Sequence, residues 1–429
     1  MKSLVSNVAE QATERVFLVG AEFRSREEDL PVSELLAELG ELAATAGALV
    51  VGEASQRLDG PNPATFIGGG KAEAVAMECQ AMEVDTVIFD DELSPAQARN
   101  LEEMFGCKIL DRTNLILDIF ASRARTKEGK LQVELAQLKY LLPRLTGYWT
   151  HLSRQRGGIG MRGGEGESQL EVDRRKIGER IDKLERELGA VRRQRDTQRR
   201  GRRRHHWPLA SLVGYTNAGK STLFNSLTGA DVLQEDQLFA TLDPTTRRLH
   251  LPTNQDVLLS DTVGFIRKLP HRLVEAFKAT LEEVVEADLL LHVVDVTHPH
   301  AEQQIESVDT VLKEIGCDDK PTLLVFNKVD RLMDPTAAKP WLARFEHSLA
   351  VSALTGAGFD GLYAEVGAAL RPLRMLLDLV IPFEASDVIA RLHQVGQVVE
   401  KDYDGPAARL KVRVPPHLVN EFVKFAAVS

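Results

Sequence analysis

The sequence predicts an α/β protein of several domains, with a doubly wound sheet preceded by a small α/β domain carrying a helical coiled-coil hairpin and followed by a small α+β domain. Three observations carry this. The 429 residues exceed the roughly 100 to 200 of one ordinary domain. Short β-branched runs alternate with helical stretches at the start of the chain, and two leucine-rich helical stripes interrupt that alternation. A strand-like apolar run at residues 209–213 leads into a glycine-rich turn and then a helical segment. The expected domains are residues 1–112, 113–204, 205–371 and 372–429.

In the first domain, residues 15–19, 48–51, 86–89 and 108–110 read as strands, and residues 32–46, 71–82 and 94–105 as helices. Their alternation predicts a parallel sheet. In the second, Leu131, Leu135, Leu138, Leu142 and Leu145 recur at spacings of four and three, and Ile177, Ile181, Leu184, Leu188 and Val191 do the same. Two matching stripes imply an antiparallel helical hairpin. Its connection, residues 147–169, contains Gly157, Gly158, Gly160, Gly163 and Gly164, which disfavour a helix, and is expected to form an exposed tip. The last domain reads as strands at 375–382, 395–400 and 408–414, with helical segments at 386–393 and 416–425, and carries no chemical motif.

The net charge of −10 argues against nucleic acid until its distribution is considered. Residues 140–206 hold 18 Lys and Arg against nine Asp and Glu, which leaves the remainder at −19. A basic insert therefore sits in an acidic protein. At the tip, Arg154, Arg156 and Arg162 stand among Tyr148, Trp149 and His151. Guanidinium groups contact phosphates and flat rings stack on unpaired bases, so Arg154, Arg156, Arg162 and Trp149 are candidate RNA contacts, the bland alternative being a solvated loop. Residues 192–204, rich in arginine, fit equally a solvated helix end and linker. Nothing in the chain approaches the roughly 20 apolar residues of a membrane span, and no lipidated or amphipathic anchor is evident. The amino-terminal stretch carries Glu10 and Glu14 where a signal peptide is apolar. Cys79, Cys107 and Cys317 are too scattered for a zinc site or a disulfide framework. A cytoplasmic monomer is expected.

Chemistry concentrates in residues 205–371. Gly214-Tyr215-Thr216-Asn217-Ala218-Gly219-Lys220-Ser221-Thr222 fits G-x-x-x-x-G-K-[ST] between a strand and a helix. Its glycines let backbone N–H groups turn toward phosphate oxygens, Lys220 reaches the terminal phosphates, and the Ser221 hydroxyl is a magnesium ligand. Alone, this loop does not separate ATP from GTP. Asn327-Lys328-Val329-Asp330 does, because the Asp330 carboxylate accepts from guanine's N1–H and amino group, where adenine presents an acceptor. Asn327 is expected to brace the loop and Lys328 to lie along the base. Asp261-Thr262-Val263-Gly264 closes an apolar strand, placing Asp261 near magnesium and the Gly264 N–H at the γ-phosphate. Ser352-Ala353 suits a loop beneath the base. Together these elements, in order and each at a strand end, read as a P-loop GTPase domain that takes GTP and GDP with Mg2+.

The chain resembles the HflX family of GTPases. The resemblance rests on residues 214–222, on Phe239-Ala240-Thr241-Leu242-Asp243-Pro244-Thr245, on Asp261-Thr262-Val263-Gly264-Phe265-Ile266-Arg267, on the helical stretch 115–138 and on the Gly157-Gly158-Ile159-Gly160 tip. It implies binding to the large ribosomal subunit, with the first domain and hairpin near the peptidyl-transferase centre, and GTP-dependent splitting of stalled ribosomes under stress. It also implies that Phe239, Ala240, Thr241, Leu242 and Asp243 join the nucleotide site and that Thr241 shares the magnesium with Ser221, although spacing alone leaves Thr245 open. The tip departs from the family's G-P-G-E-T-Q, reading Gly163-Gly164-Glu165-Gly166-Glu167-Ser168-Gln169. A large-subunit assembly GTPase is the alternative function, sharing the motifs but preferring immature particles.

Many related GTPases orient the attacking water with a glutamine after D-x-x-G. Here the position is Phe265, whose ring cannot hold water. Catalysis is then expected to rest on Lys220, Asn217, Thr241 and Gly264, with a low intrinsic rate raised by a partner. Asn217 resembles the asparagine by which related GTPases hold K+ beside the phosphates, against a plain loop-bracing role. The run Gly68-Gly69-Gly70-Lys71 invites a second phosphate site, but Thr65 and Ala72 break the P-loop pattern, leaving an RNA phosphate or simple capping.

Overall fold

The computed structural model describes residues 13–24, 30–145, 165–205, 207–229, 238–268, 278–403 and 407–427. The chain folds as two compact units, one of residues 1–188 with 268–276, the other of residues 189–267 with 277–429.

The first unit is built on β1 (Arg15–Phe23), β2 (Leu49–Leu58), β3 (Thr86–Phe89) and β4 (Lys108–Asp111), which form an all-parallel sheet in the order β2-β1-β3-β4. Parallel strands require crossovers, and the helices Val32–Thr45, Gly69–Ala81 and Pro95–Phe105 supply them. The third starts at a capping box in which Ser94 and Gln97 satisfy each other's backbone N–H groups, and stops at Gly106 in the left-handed region. Buried Phe17, Val19, Val87, Phe89 and Leu101 belong to the core that this packing creates. At Gly68 the helix start is capped by Gln56, whose Oε1 accepts from the Gly68 N–H at 2.8 Å.

Two helices, Arg112–Arg123 and Lys127–Leu141, follow β4. The expected helix across 115–138 is interrupted: Ala124 is extended, and Thr126 restarts the chain by accepting from the Gly129 N–H at 2.9 Å. Buried Asp111 bolts this region to the sheet. Its Oδ1 caps the first helix at Asn114, while its Oδ2 accepts from the Tyr140 hydroxyl at 2.6 Å and Arg144 at 3.1 Å. The returning helix, Glu165–His205, begins earlier than the expected loop end at residue 169. Leu131 and Leu135 pack with Ile181, Leu184 and Leu188, so the two stripes do meet, and Arg180 grips Glu134 with two bonds of 2.7 and 2.8 Å. Candidate RNA contacts Trp149, Arg154, Arg156 and Arg162 lie outside the described residues.

A second polar cluster closes the first unit. Arg112 is 2% exposed and pairs with Asp90 at 2.7 Å and with Glu38. Lys268, arriving from far along the chain, reaches Asp90 at 2.8 Å and Asp91 at 3.2 Å. A buried guanidinium is tolerable only with such partners.

The second unit contains β5 (Leu209–Val213), β6 (Thr245–Leu251), β7 (Gln255–Asp261), β8 (Leu289–Asp295), β9 (Thr322–Asn327) and β10 (Ser348–Ala350), ordered β10-β9-β8-β5-β7-β6. All pairs are parallel except β6 with β7. Burial on both faces explains the continuous apolar runs of β5 and β8. The strand order reverses around β5, so the loop after β5 opens at a topological switch point, where sheets of this class hold ligands. β11 (Met375–Pro382), β12 (Gln397–Asp402) and β13 (Ala407–Val414) form an antiparallel sheet ordered β11-β13-β12, with its own core around Leu379, Leu410, Val412 and Phe422.

Candidate functional site

The turn after β5 holds two glycines for steric reasons. Gly214 has φ +145°, and a Cβ there collides with the Val293 carbonyl oxygen. Gly219, at φ +89°, has no room for a Cβ beside Asn327 Nδ2. The loop is stitched to the segment after β7 by bonds from Phe265 N–H to Gly214 O (3.0 Å) and from Thr216 N–H to Phe265 O (2.8 Å). The helix Lys220–Thr228 starts immediately, so its N-terminal N–H groups and positive dipole end face the loop.

A cavity of about 260 Å³ lies here, lined among others by Thr216, Asn217, Lys220, Ser221, Thr222, Phe239, Ala240, Thr241, Thr262, Gly264, Asn327, Lys328, Asp330 and Ala353. Sequence reasoning missed two of its walls, Arg331 and Leu354. Each directly follows a recognised element, and that adjacency was the available signal. Gly214, Tyr215, Ala218, Leu242, Asp243, Asp261, Val263, Val329 and Ser352 are not part of the lining. Several of these act from behind it.

Lys220 is 7% exposed, and its ammonium donates to Gly214 O at 3.0 Å and Tyr215 O at 2.7 Å. Burial pulls its pKa down to about 8; Asp261 opposes this and Lys328 adds to it. Ser221 Oγ and Thr241 Oγ1 stand 2.8 Å apart, and each donates to Asp261 Oδ2 at 2.8 Å. The geometry thus brings Thr241 to Ser221, whereas Thr245 opens β6 opposite Asp261 in the antiparallel register. Asp261 is fully buried, and burial raises its pKa against the hydrogen bonds and the Lys220 charge. Its Oδ1 has no partner among the described residues. Two hydroxyls and a carboxylate with a spare buried oxygen form a hard donor set that fits Mg2+.

On the opposite wall, Asn327 is 1% exposed and braces two loops, donating from Nδ2 to Ala218 O and accepting at Oδ1 from Ala353 N–H, both at 2.9 Å. Asp330 Oδ1 accepts from Ser352 Oγ at 2.5 Å, which orients the carboxylate. Lys328 has φ +67°, and its ammonium spans Asn217 O at 2.8 Å and Asp295 Oδ2 at 2.7 Å. Burial pushes Asp295 upward, but bonds from Lys328 and Thr297 outweigh it and hold the carboxyl low. Asn217 also lies at positive φ, +61°, with its side chain exposed. Phe265 is 2% exposed and absent from the lining, so its ring serves the core rather than the cavity.

Three family profiles match the chain in succession: "GTP-binding GTPase N-terminal" over residues 33–121, "GTP-binding GTPase Middle Region" over 123–202, and "50S ribosome-binding GTPase" over 210–328. The GTPase HflX of Caldanaerobacter subterraneus subsp. tengcongensis is 49% identical over 89% of this chain and 87% of its own. That of Escherichia coli is 47% identical over 89% and 90% respectively. The chain belongs to the HflX family of GTPases. Like other HflX GTPases it is a P-loop GTP hydrolase, within a 50S ribosome-binding family. A solved complex of SsGBP with GDP is 27% identical over 83% of this HflX-family chain and 98% of that one, at a TM-score of 0.47. No helix among the described residues is long and apolar enough to cross a membrane.

Proposed function

We propose that this GTPase binds the large ribosomal subunit in its GTP form and splits joined ribosomes during stress, acting in the cytoplasm. The Ser221–Thr241–Asp261 cluster is the observation that supports a GTP-controlled switch: the loop carrying Thr241 and the strand end carrying Asp261 meet at one point, so what occupies that point governs both segments.

In this reading Ser221 and Thr241 hold Mg2+, with Asp261 behind them. A bound Mg2+ would supply neutralisation of phosphate charge there. Lys220 exchanges its two carbonyl partners for phosphate oxygens, and the Gly264 N–H holds the γ-phosphate. Asp330 selects guanine. With Phe265 buried, no carboxamide at that position orients water, so Asn217 contributes by holding K+ near the phosphates, and ribosomal particles order the switches. The basic hairpin tip, with Trp149, Arg154, Arg156 and Arg162, contacts ribosomal RNA.

Sedimentation tests the whole proposal. Joined ribosomes incubated with the protein and a non-hydrolysable GTP analogue should separate into subunits, with the protein on the large one. Joined ribosomes left intact, with protein bound to immature large particles instead, would replace splitting by assembly. In the same preparation, ribosome-stimulated hydrolysis should be several-fold faster in potassium than in sodium buffer, and Asn217→Ala should remove most of that difference. Equal rates in the two salts would leave the ribosome alone to complete the site.

A further inference from the structure

Within the second unit, the β6–β7 hairpin joins two places that no motif connects. At one end the antiparallel register sets Thr245 opposite Asp261, and Thr241 stands just before that pair. At the other end, roughly 20 Å along the strands, Leu251 faces Gln255. β6 is the last strand of its sheet and pairs with β7 alone, so it is held on one side only. A shift imposed at one end of such a ladder reaches the other, because the paired strands move as one element.

The tip of the hairpin holds the C-terminal sheet. Arg374, the residue before β11, donates from Nη2 to the Asn254 carbonyl at 2.8 Å, and Asn254 Nδ2 donates to the His393 carbonyl, in the helix Ser386–Val395, at 2.6 Å. This joint is poorly satisfied. Thr253 Oγ1, Gln255 Nε2 and Arg374 Nη1 are all buried without a hydrogen-bond partner among the described residues. Each such group costs free energy, and three of them in one turn and the residue packed on it mark an arrangement that another placement of the C-terminal sheet improves. A cavity of about 330 Å³ between the hairpin and the helix, lined among others by Asn254, Gln255, Arg374 and Gln394, leaves room for that placement.

We propose that the hairpin couples the bound nucleotide to the position of the C-terminal sheet. The form that joins Thr241 to Asp261, as described above, leaves the tip joint unsatisfied; release of Thr241 lets β6 shift, and the three polar groups then find partners as the joint tightens. This rests on the reading of the Ser221–Thr241–Asp261 cluster as GTP-controlled. The GTP form therefore carries the loose joint and the GDP form the tight one. Coupling of this kind is reciprocal, so removing one of the three groups relieves the GTP form, deprives the GDP form of a bond, and shifts preference toward GTP.

Hydrogen exchange of the full chain, with Mg2+ and either GDP or a non-hydrolysable GTP analogue, tests this. Residues 253–255 and 386–395 should exchange several-fold faster in the analogue form, in which residues 241–245 exchange more slowly. Arg374→Met and Thr253→Val should each narrow the difference at 386–395 and raise the ratio of analogue affinity to GDP affinity about fivefold or more, measured by titration. Because Arg374 is buried, Thr253→Val, which keeps the side-chain shape, is the variant that decides. Residues 386–395 indifferent to the nucleotide while 241–245 respond would overturn the coupling and leave the switch standing. Indifference of both segments would overturn the two together. An affinity ratio left unchanged by Thr253→Val overturns the coupling as well, whatever Arg374→Met does to stability.

Discussion

In its proposed phosphate-holding role Lys220 must be cationic, yet burial lowers its pKa from 10.5 to about 8. Below pH 8 both the folded and unfolded chains carry the proton, and the folded state bears the full cost of burying charge. Between about 8 and 10.5 the folded chain releases the proton while the unfolded chain keeps it, so this group's penalty fades as pH rises. A bound nucleotide reverses the shift, so binding in that window takes up a proton. Calorimetry of GDP binding in buffers of differing ionisation heat should show uptake rising about threefold between pH 7.5 and 8.5. A flat profile would mean that Lys220 stays charged. At Asp330, replacement by Asn exchanges an acceptor for a donor and should weaken GTP about 10- to 100-fold in favour of xanthosine triphosphate, as measured by titration. Unchanged preference for GTP would assign guanine selection elsewhere. Both residues were singled out because phosphate and guanine demand fixed groups at fixed spacings. Thr241 and Thr245 were not separable from spacing, since only the path of the loop decides which hydroxyl meets Ser221.

Elements announced themselves to the degree that they are buried. β3 and β5 are buried throughout and read directly as apolar runs. β2 was expected at 48–51 but extends over Leu49–Leu58, because an edge strand with one neighbour accommodates polar Gln56 and Arg57. The break at 124–126 was hidden in a continuous helical pattern: a Thr cap is a local choice that periodicity does not encode. In the hairpin, the stripe residues did predict their partners. Leu184 is fully buried between Leu131, Leu135 and Leu188, and Leu184→Ala should cost about 3 to 5 kcal/mol in this element, read by denaturant unfolding. A loss under about 1 kcal/mol would show that the two helices do not depend on this contact.

At the scale of the molecule, the pairing of Lys268 with Asp90 carries no sequence signal, because partners 178 positions apart share no local pattern. Lys268→Met should lower the stability of the first unit by on the order of 1 to 3 kcal/mol, seen as faster hydrogen exchange in β3 and β4, since among the described residues the Asp90 carboxylate then keeps only Arg112. Exchange rates equal to the parent's would make Lys268 a bystander. The same pairing bears on synthesis. Asp90 and Arg112 leave the ribosome early and can close their ion pair at once, while Lys268 is translated only after β5, β6 and β7. The first unit is therefore chemically incomplete through much of translation, with one buried carboxylate awaiting its second cation, and its last increment of stability arrives when the nucleotide-binding half is already being made.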